Sequence, residues 1–281
     1  MLKYDLHCHT TCSDGSLSPC ELILRAEVKN VDVLAITDHD SVAAIDVAQQ
    51  EINKKNYKVQ LISGVEISTK WHGFDIHVVG LCIDHSSTEL TKFLVSQREK
   101  RRIRAAKIGE KLEKKGLSGV YELACQYAAG ESVSRGHFAK AMLALGYVKD
   151  FDSAFKKYIG KGKQAFVAPE WCSVQEAVAT IKSAAGIAVL AHPVRYDLSN
   201  KWLRKLIVEF TVAGGDALEV GLVQMNPDQK LFIASLAKEH GLYSSQGSDF
   251  HHESRWTELG RNLSLTEQCK PVWEHPSWRL L

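Results

Sequence analysis

No apolar run in the 281-residue chain approaches the roughly 18 residues that a bilayer crossing requires, and the opening Met1-Leu2-Lys3-Tyr4-Asp5 contains no signal-peptide core. The expectation is a soluble protein without membrane contact, with the cytoplasm as its default compartment. The seven cysteines (Cys8, Cys12, Cys20, Cys82, Cys125, Cys172 and Cys269) are odd in number and include no C-x-x-C pair, which argues for free thiols rather than a disulfide framework or a zinc knuckle. Excess charge is also small. The 35 basic and 33 acidic residues leave a net +2, which does not suggest a general nucleic-acid binder. Low-complexity and collagen-like repeats are absent, and 45% hydrophobic with 24% charged residues is the balance of one or two globular domains. Histidine is the residue in surplus, with twelve copies.

Short apolar segments ending in polar clusters predict seven buried strands, at Tyr4–Cys8, Val33–Thr37, Val59–Val65, Asp75–Leu81, Ile187–Leu190, Ala217–Val220 and Leu242–Ser245. Helical patterns lie between most of them: Pro19–Lys29, Val42–Lys55, Val174–Ala185, Lys201–Ala213 and Pro227–His240. The first is opened by Ser18, Pro19 and Glu21 as N-cap, first-turn proline and N3 acid. Alternating strand and helix predicts a parallel α/β architecture. Seven such units are one short of an eight-fold barrel, so a closed or distorted barrel is expected in preference to a doubly wound sheet. In either fold the chemistry sits at the carboxyl ends of the strands.

From about Ser86 to Lys163 this rhythm stops. The spacing there predicts only helices, over Thr88–Lys115, Val120–Ala129, Arg135–Leu145 and Asp150–Ile159, with Gly116, Gly130, Gly146 and Gly160 as C-terminal stops. Residues 86–163 therefore read as a helical insertion, a lid, in a barrel made of residues 1–85 and 164–281. That barrel has about 200 residues, near the lower limit for the fold. The tail beyond Arg261 is polar and rich in tryptophan, and its pattern assigns no element.

His7 and His9 end the first strand, and residues two apart on a strand share a face, so both imidazoles can reach one ion. Asp14 follows in Ser13-Asp14-Gly15. The later strand ends or starts carry Thr37-Asp38-His39-Asp40, Gly64-Val65-Glu66, Asp75-Ile76-His77, Ala191-His192-Pro193 and Gly247-Ser248-Asp249-Phe250-His251. A single histidine at a strand end is most often a hydrogen-bonded structural group, and a single aspartate in such a turn is usually a cap. Imidazoles and carboxylates at six strand ends together would be costly to bury without a cation. Nine potential ligands exceed one tetrahedral ion and suit a cluster of two or three manganese, iron or zinc ions.

This series of motifs resembles the PHP (polymerase and histidinol phosphatase) superfamily across nearly all of the chain outside the insertion. The resemblance implies a distorted seven-stranded barrel with a trinuclear site. His7, His9, Glu66 and Asp249 would hold one ion, Glu66, His77 and His192 a second, and Asp14, His39 and His251 a third, with Glu66 bridging the first two. Amidohydrolases also begin with His-x-His, but usually need a lysine at a later strand end, and no predicted strand here ends in lysine. Metal ions lower the pKa of bound water and neutralise phosphate charge. His7, His9, Glu66, Asp249 and His251 are thus expected to act in catalysis through three divalent ions, manganese first, and a bridging hydroxide.

Phosphate also needs cations that orient it. Arg195, in Ala-His-Pro-Val-Arg-Tyr, lies beside the mouth and can grip phosphate bidentately. In the insertion, Arg135 and His137 open a helix, where an anion site and an ordinary capped surface are both open readings. The Arg-x-His helix resembles that of the 3′,5′-nucleoside bisphosphate phosphatase and 5′ to 3′ exoribonuclease branch, although Ser134 and Gly136 depart from its Gly-Arg-Pro-His form. Lys92–Lys115 holds ten basic residues against three acids; Arg102 and Arg104 within it are not ranked by pattern. Trp71 and Phe74 are expected to pack rather than to stack a base, and His72, His85, His240, His252 and His275 to fill structural roles.

The function expected is metal-dependent hydrolysis of phosphate esters in a nucleotide or short single-stranded RNA. The alternatives are a small-molecule phosphatase of the histidinol phosphate type and a non-catalytic metal-binding regulatory module. No obligate protein partner is expected.

Overall fold

The structure is a computed structural model that describes residues 2–128 and 132–281. Strands β1 (Tyr4–Cys8), β2 (Val33–Ile36) and β3 (Gln60–Trp71) run parallel, β4 (Phe74–Leu81) folds back on β3, and β5 (Cys172–Ser173) pairs with the outer part of β3. β6 (Ile187–Leu190) is antiparallel to β4, and β7 (Ala217–Leu222) and β8 (Tyr243–Gly247) continue parallel to β6. β8 returns towards β1: His9 N–H donates to the Phe250 carbonyl at 2.9 Å and Asp249 N–H to that of His7 at 2.8 Å. Seven strands thus make a nearly closed barrel, with the two-residue β5 outside it. β2 is Val-Leu-Ala-Ile, buried throughout, as a strand covered on both faces must be.

Helices α1 (Pro19–Val28) and α2 (Ala44–Lys55) follow the first two strands. α3 (Thr88–Glu113), α4 (Val120–Tyr127), α5 (Arg135–Ala144) and α6 (Phe151–Ala154) form the helical segment. α7 (Val174–Ser183), α8 (Asn200–Val212) and α9 (Pro227–Glu239) return to the barrel. α7 buries Val174, Ala177, Val178 and Ile181, an i, i+3, i+4, i+7 stripe. Capping boxes of Ser18 with Glu21, Ser173 with Glu176 and Asn226 with Gln229 start α1, α7 and α9.

α3 is about 39 Å long and joins two cores. Leu90 and Leu94 pack in the cluster outside the barrel, whereas Ala105, Ile108 and Leu112 pack with Phe138, Met142 and Ala165 in a cluster of the helical segment. Ala129 and Gly130 lie outside the described residues.

Two local expectations differ from the structure, and the tail left unassigned takes a definite place. The sheet is not parallel throughout, because β3 runs six residues past Val65 and turns at His72 and Gly73. Both have positive φ (45° and 84°), as two-residue hairpin turns require. The polar stretch Ser68-Thr69-Lys70 concealed this extension. Residues 150–159 divide into α6 and a π-helical turn, Phe155–Ile159, and Gly160 ends that turn in an extended conformation, unlike Gly116 and Gly146, which have positive φ. The tail beyond Arg261 is not loose surface: Val272 enters the barrel interior with Leu6, Val33 and Ile62, and Trp273 stacks on Tyr4 at 4.0 Å. This floor is at the strand ends opposite His9.

Candidate active site

β1, β2, β6 and β8 bring their polar residues to the mouth at or just beyond their ends, and the β3–β4 hairpin brings Glu66 and His77 from within its ladder. Glu66, fully buried in β3, is the centre of what results. Its Oε1 is 2.9 Å from His77 Nδ1, 3.0 Å from His192 Nε2 and 3.3 Å from His7 Nε2; its Oε2 is 2.9 Å from His39 Nδ1 and 3.3 Å from His9 Nε2. One carboxylate therefore touches five imidazoles. Asp249 Oδ1 is 3.2 Å from His9 Nε2 and 3.6 Å from His251 Nδ1, and Asp14 Oδ1 is 3.3 Å from His251 Nε2 and 3.7 Å from His39 Nε2. The barrel thus brings together all nine residues singled out as ligands. His192 and Asp249 hold φ of 29° and 51°, strained for side chains with a Cβ and tolerated where position matters more than backbone ease.

The donors fit divalent ions. Despite these close approaches, five buried atoms of the cluster make no well-directed hydrogen bond among the described residues: His7 Nε2, Asp14 Oδ1, His39 Nδ1, Glu66 Oε2 and His192 Nδ1. Burying so many polar atoms unpaired is costly unless a cation satisfies them. Ligand atoms close enough to share an ion occur in three overlapping groups: His9 with Asp14, His39 and His251; His7 with His9 and Glu66; and His39 with Glu66 and His77. Mixed imidazole and carboxylate donors suit manganese, iron or zinc.

Electrostatics support the same reading. Burial opposes charge on Glu66, yet His39, His77 and His7 hold its carboxyl well below the usual range. Asp249 and Asp14 are held low in the same way, Asp249 chiefly by His7 and His251, Asp14 chiefly by His39 and His251. Burial, with His251 and His39 beside it, pushes His9 down to about 3, so its ring stays neutral with a lone pair to offer. Burial also opposes charge on His251, but Asp14 and Asp249 carry it up to about 10.

The sequence reading passed over the residues that orient these ligands. Glu219 in β7 is buried; its Oε1 lies 3.0 Å from His7 Nδ1, and its Oε2 accepts the His192 N–H at 2.6 Å. Asp38 accepts from Thr10 N–H at 2.7 Å and from the Ser13 hydroxyl at 2.5 Å, fixing the loop that carries Asp14. The Tyr196 hydroxyl accepts the His77 N–H and donates to the Ala191 carbonyl, both at 2.9 Å. A lone acid inside the apolar run Ala217-Leu218-Glu219-Val220 was the available signal for Glu219.

A cavity of about 660 Å³ opens over this cluster, lined by Asp14, His39, His77, Asp249 and His251 from the barrel and by Arg101, Arg104, Arg135 and His137 from the helical segment. Ser134 caps α5, its hydroxyl accepting the Gly136 N–H at 3.0 Å, and Ser134 N–H donates to His137 Nδ1 at 3.1 Å. Nδ1 is thus the acceptor, which leaves Nε2–H as a donor, and burial pushes the ring's pKa down. Arg135 lies 3.7 Å from Asp75. Arg195 at the rim pairs with Asp249.

Arg102 and Arg104 separate cleanly. Arg102 is exposed and bonded to Glu99 at 2.7 and 2.8 Å. Arg104 donates Nε–H to the Val167 carbonyl at 3.0 Å, packs on Trp171, and keeps a buried Nη2 with no hydrogen-bond partner among the described residues. Burial, with Arg135 nearby, lowers its pKa to about 10. Arg101, missed in the sequence, bonds Asp40 at 2.6 Å and faces the same cavity. It continues the stripe Leu90, Leu94, Gln97, Arg101, Ala105, and a charge on a buried stripe was its signal. Trp71 packs as expected, buried with Nε1–H donated to Glu209 at 2.7 Å.

The PHP domain family matches residues 5–170. The chain is 49% identical, over 97% of its length and 98% of the relative's, to a 5′-3′ exoribonuclease of Haemophilus influenzae. It is 38% identical to a 3′,5′-nucleoside bisphosphate phosphatase of Chromobacterium violaceum, over 100% of its length and 99% of that protein's. A solved structure from Chromobacterium violaceum, titled an amidohydrolase with bound sulfate and no metal, superposes with a TM-score of 0.91 at 38% identity, over 96% of this chain and 94% of that one. The Glu66-centred cluster at the mouth of the barrel and these likenesses agree: the chain belongs to the PHP family and is a metal-dependent phosphoesterase, a hydrolase of that family.

Proposed function

We propose that the protein hydrolyses phosphate esters of nucleotides, converting 3′,5′-nucleoside bisphosphates to 5′-monophosphates and trimming short 5′-phosphorylated RNA from its 5′ end. The observation that carries this reading is one cavity lined both by Arg104, Arg135 and His137 of the helical segment and by the imidazole and carboxylate cluster of the barrel. Such a cavity suits a substrate with two phosphates, one at each side. The activities named for the two relatives share that requirement.

In this reading His7, His9, Asp14, His39, Glu66, His77, His192, Asp249 and His251 hold three divalent ions, manganese first. Bound there, the ions supply an activated water and neutralise charge on the scissile phosphate. Arg135 and His137 Nε2–H, with the first turn of α5, anchor the 5′ phosphate, and Arg195 leaves Asp249 to grip the phosphate under attack. Residues 86–163 act as a lid that carries the anchor over the barrel formed by 1–85 and 164–281. Both reactions then break a P–O bond at one fixed distance from the anchored 5′ phosphate. The buried thiols of Cys8, Cys82 and Cys172 suit the reducing cytoplasm where such substrates arise.

The test is a panel assayed with manganese: adenosine 3′,5′-bisphosphate, 5′-phosphorylated and 5′-hydroxyl RNA, and histidinol phosphate. Turnover of the bisphosphate and the 5′-phosphorylated RNA is expected, and preference for histidinol phosphate would overturn the substrate class. Arg135→Ala should lower both favoured activities together, by about tenfold or more. Loss of only one would contradict a shared anchor.

A further inference from the structure

Trp256 is the most exposed of the large apolar side chains on the site-bearing loops, at 63%, and the loop it stands on begins with Asp249 and His251 of the candidate metal cluster. Two neighbours on that loop, His252 and Thr257, line the catalytic cavity. An aromatic ring held in water contributes little to a core, and the backbone that carries this one is hydrogen-bonded in place. Ser254 Oγ accepts the N–H groups of Trp256 at 3.2 Å and Thr257 at 2.9 Å, and Ser254 N–H donates to the Thr257 carbonyl at 3.2 Å. The Arg255 guanidinium sits 5.0 Å from the Trp256 ring centroid, and Arg261 ties down the Arg255 carbonyl at 3.0 Å. An exposed ring paired with a cation beside an anion site is the combination with which proteins stack bases of single strands.

Position decides which base. The wall holding Arg104, Arg135 and His137 belongs to the helical segment, whereas the Trp256 loop follows β8 on the barrel rim. If the 5′ phosphate sits against the first wall and the scissile phosphate over the cluster, the chain beyond the scissile phosphate leaves over the rim. We propose that Trp256, with Arg255, is the stacking platform for the nucleotide on the 3′ side of the scissile phosphate. This rests on the function proposed above and adds a division within it. A nucleoside bisphosphate ends at the phosphate under attack and never reaches Trp256, while RNA does. Trp256 therefore favours RNA over the bisphosphate without touching the reacting atoms.

The experiment compares wild type, Trp256→Ala and Trp256→Phe on a 5′-phosphorylated RNA of about ten nucleotides and on adenosine 3′,5′-bisphosphate. Trp256→Ala should raise KM for RNA about five- to tenfold, keep kcat and KM for the bisphosphate at the wild-type values, and be largely rescued by Trp256→Phe. An unchanged RNA KM, or equal losses on both substrates, would overturn the platform while leaving the phosphoesterase reading intact. A wild-type enzyme that hydrolyses the bisphosphate but no RNA would remove the RNA half of the function and the platform with it.

Discussion

Glu219 holds His7 by its Nδ1 at 3.0 Å and, through its second oxygen, the backbone of His192 at 2.6 Å. Glu219 at Nδ1 leaves His7 Nε2 facing Glu66 Oε1 at 3.3 Å, where the two could share an ion, and two strands, β1 and β6, are registered against β7 at the mouth. Partners of this kind fix the tautomer and orientation of a metal-ligating histidine. Glu219→Gln should therefore weaken manganese binding and activity by roughly 10- to 100-fold while the protein remains folded. Manganese titration followed by thermal unfolding reads both: wild type should gain Tm on adding manganese, as any ligand of the native state requires, and Glu219→Gln should need more metal for the same gain. Equal titration curves would show that Glu219 does not orient the cluster.

The two arginines that the sequence could not rank should differ sharply. Arg102→Ala removes an exposed pair with Glu99 and should leave kcat/KM within about twofold. Arg104→Ala removes a largely buried guanidinium that lines the cavity and should lower kcat/KM by about tenfold or more for the bisphosphate. Steady-state kinetics on both variants decide it; similar values would mean that Arg104 makes no substrate contact.

Acid should reveal a clasp away from the metal cluster. Burial opposes charge on Glu258, yet bonds from Arg25 at 2.7 and 2.8 Å, with Lys29 at 2.9 Å, bring its pKa down to about 2. A folded-state pKa below the ordinary carboxyl value adds stability above about pH 4.5, which is lost as pH falls through about 2. Glu258→Gln should lower Tm by about 2–4 °C at pH 7, and the difference should close as pH approaches 2. A gap independent of pH would assign the loss to packing instead.

What could be read from the sequence was whatever lies close together along it. His7-x-His9, Asp14, Glu66 and Asp249-x-His251 stand out because strand ends cluster polar residues after apolar runs, and the structure gathers them in one place. Glu219 and Tyr196 did not stand out, because their partners come from distant segments and single polar residues in apolar runs have many uses. The antiparallel β3–β4 hairpin was hidden for a different reason. Its outer half is covered by the helical segment and β5, where Gln97 donates to the Ser68 carbonyl at 2.9 Å, so polar residues could be buried in a strand that local pattern ended at Val65. Arg101 fell between the two cases, legible as a helical stripe but masked by the charges around it.

The floor of the barrel bears on how the chain is made. Tyr4 finds its stacking partner in Trp273, and the Leu61 carbonyl receives the N–H of Leu281 at 3.1 Å. During synthesis β1 to β4 leave the ribosome long before those partners exist, so the early strands wait as an open sheet with its apolar interior uncovered. Contacts between segments so far apart slow folding and leave intermediates prone to aggregation. The mouth and the floor share β1, so docking of the segment around Trp273 supports the same strand that carries His7 towards the mouth.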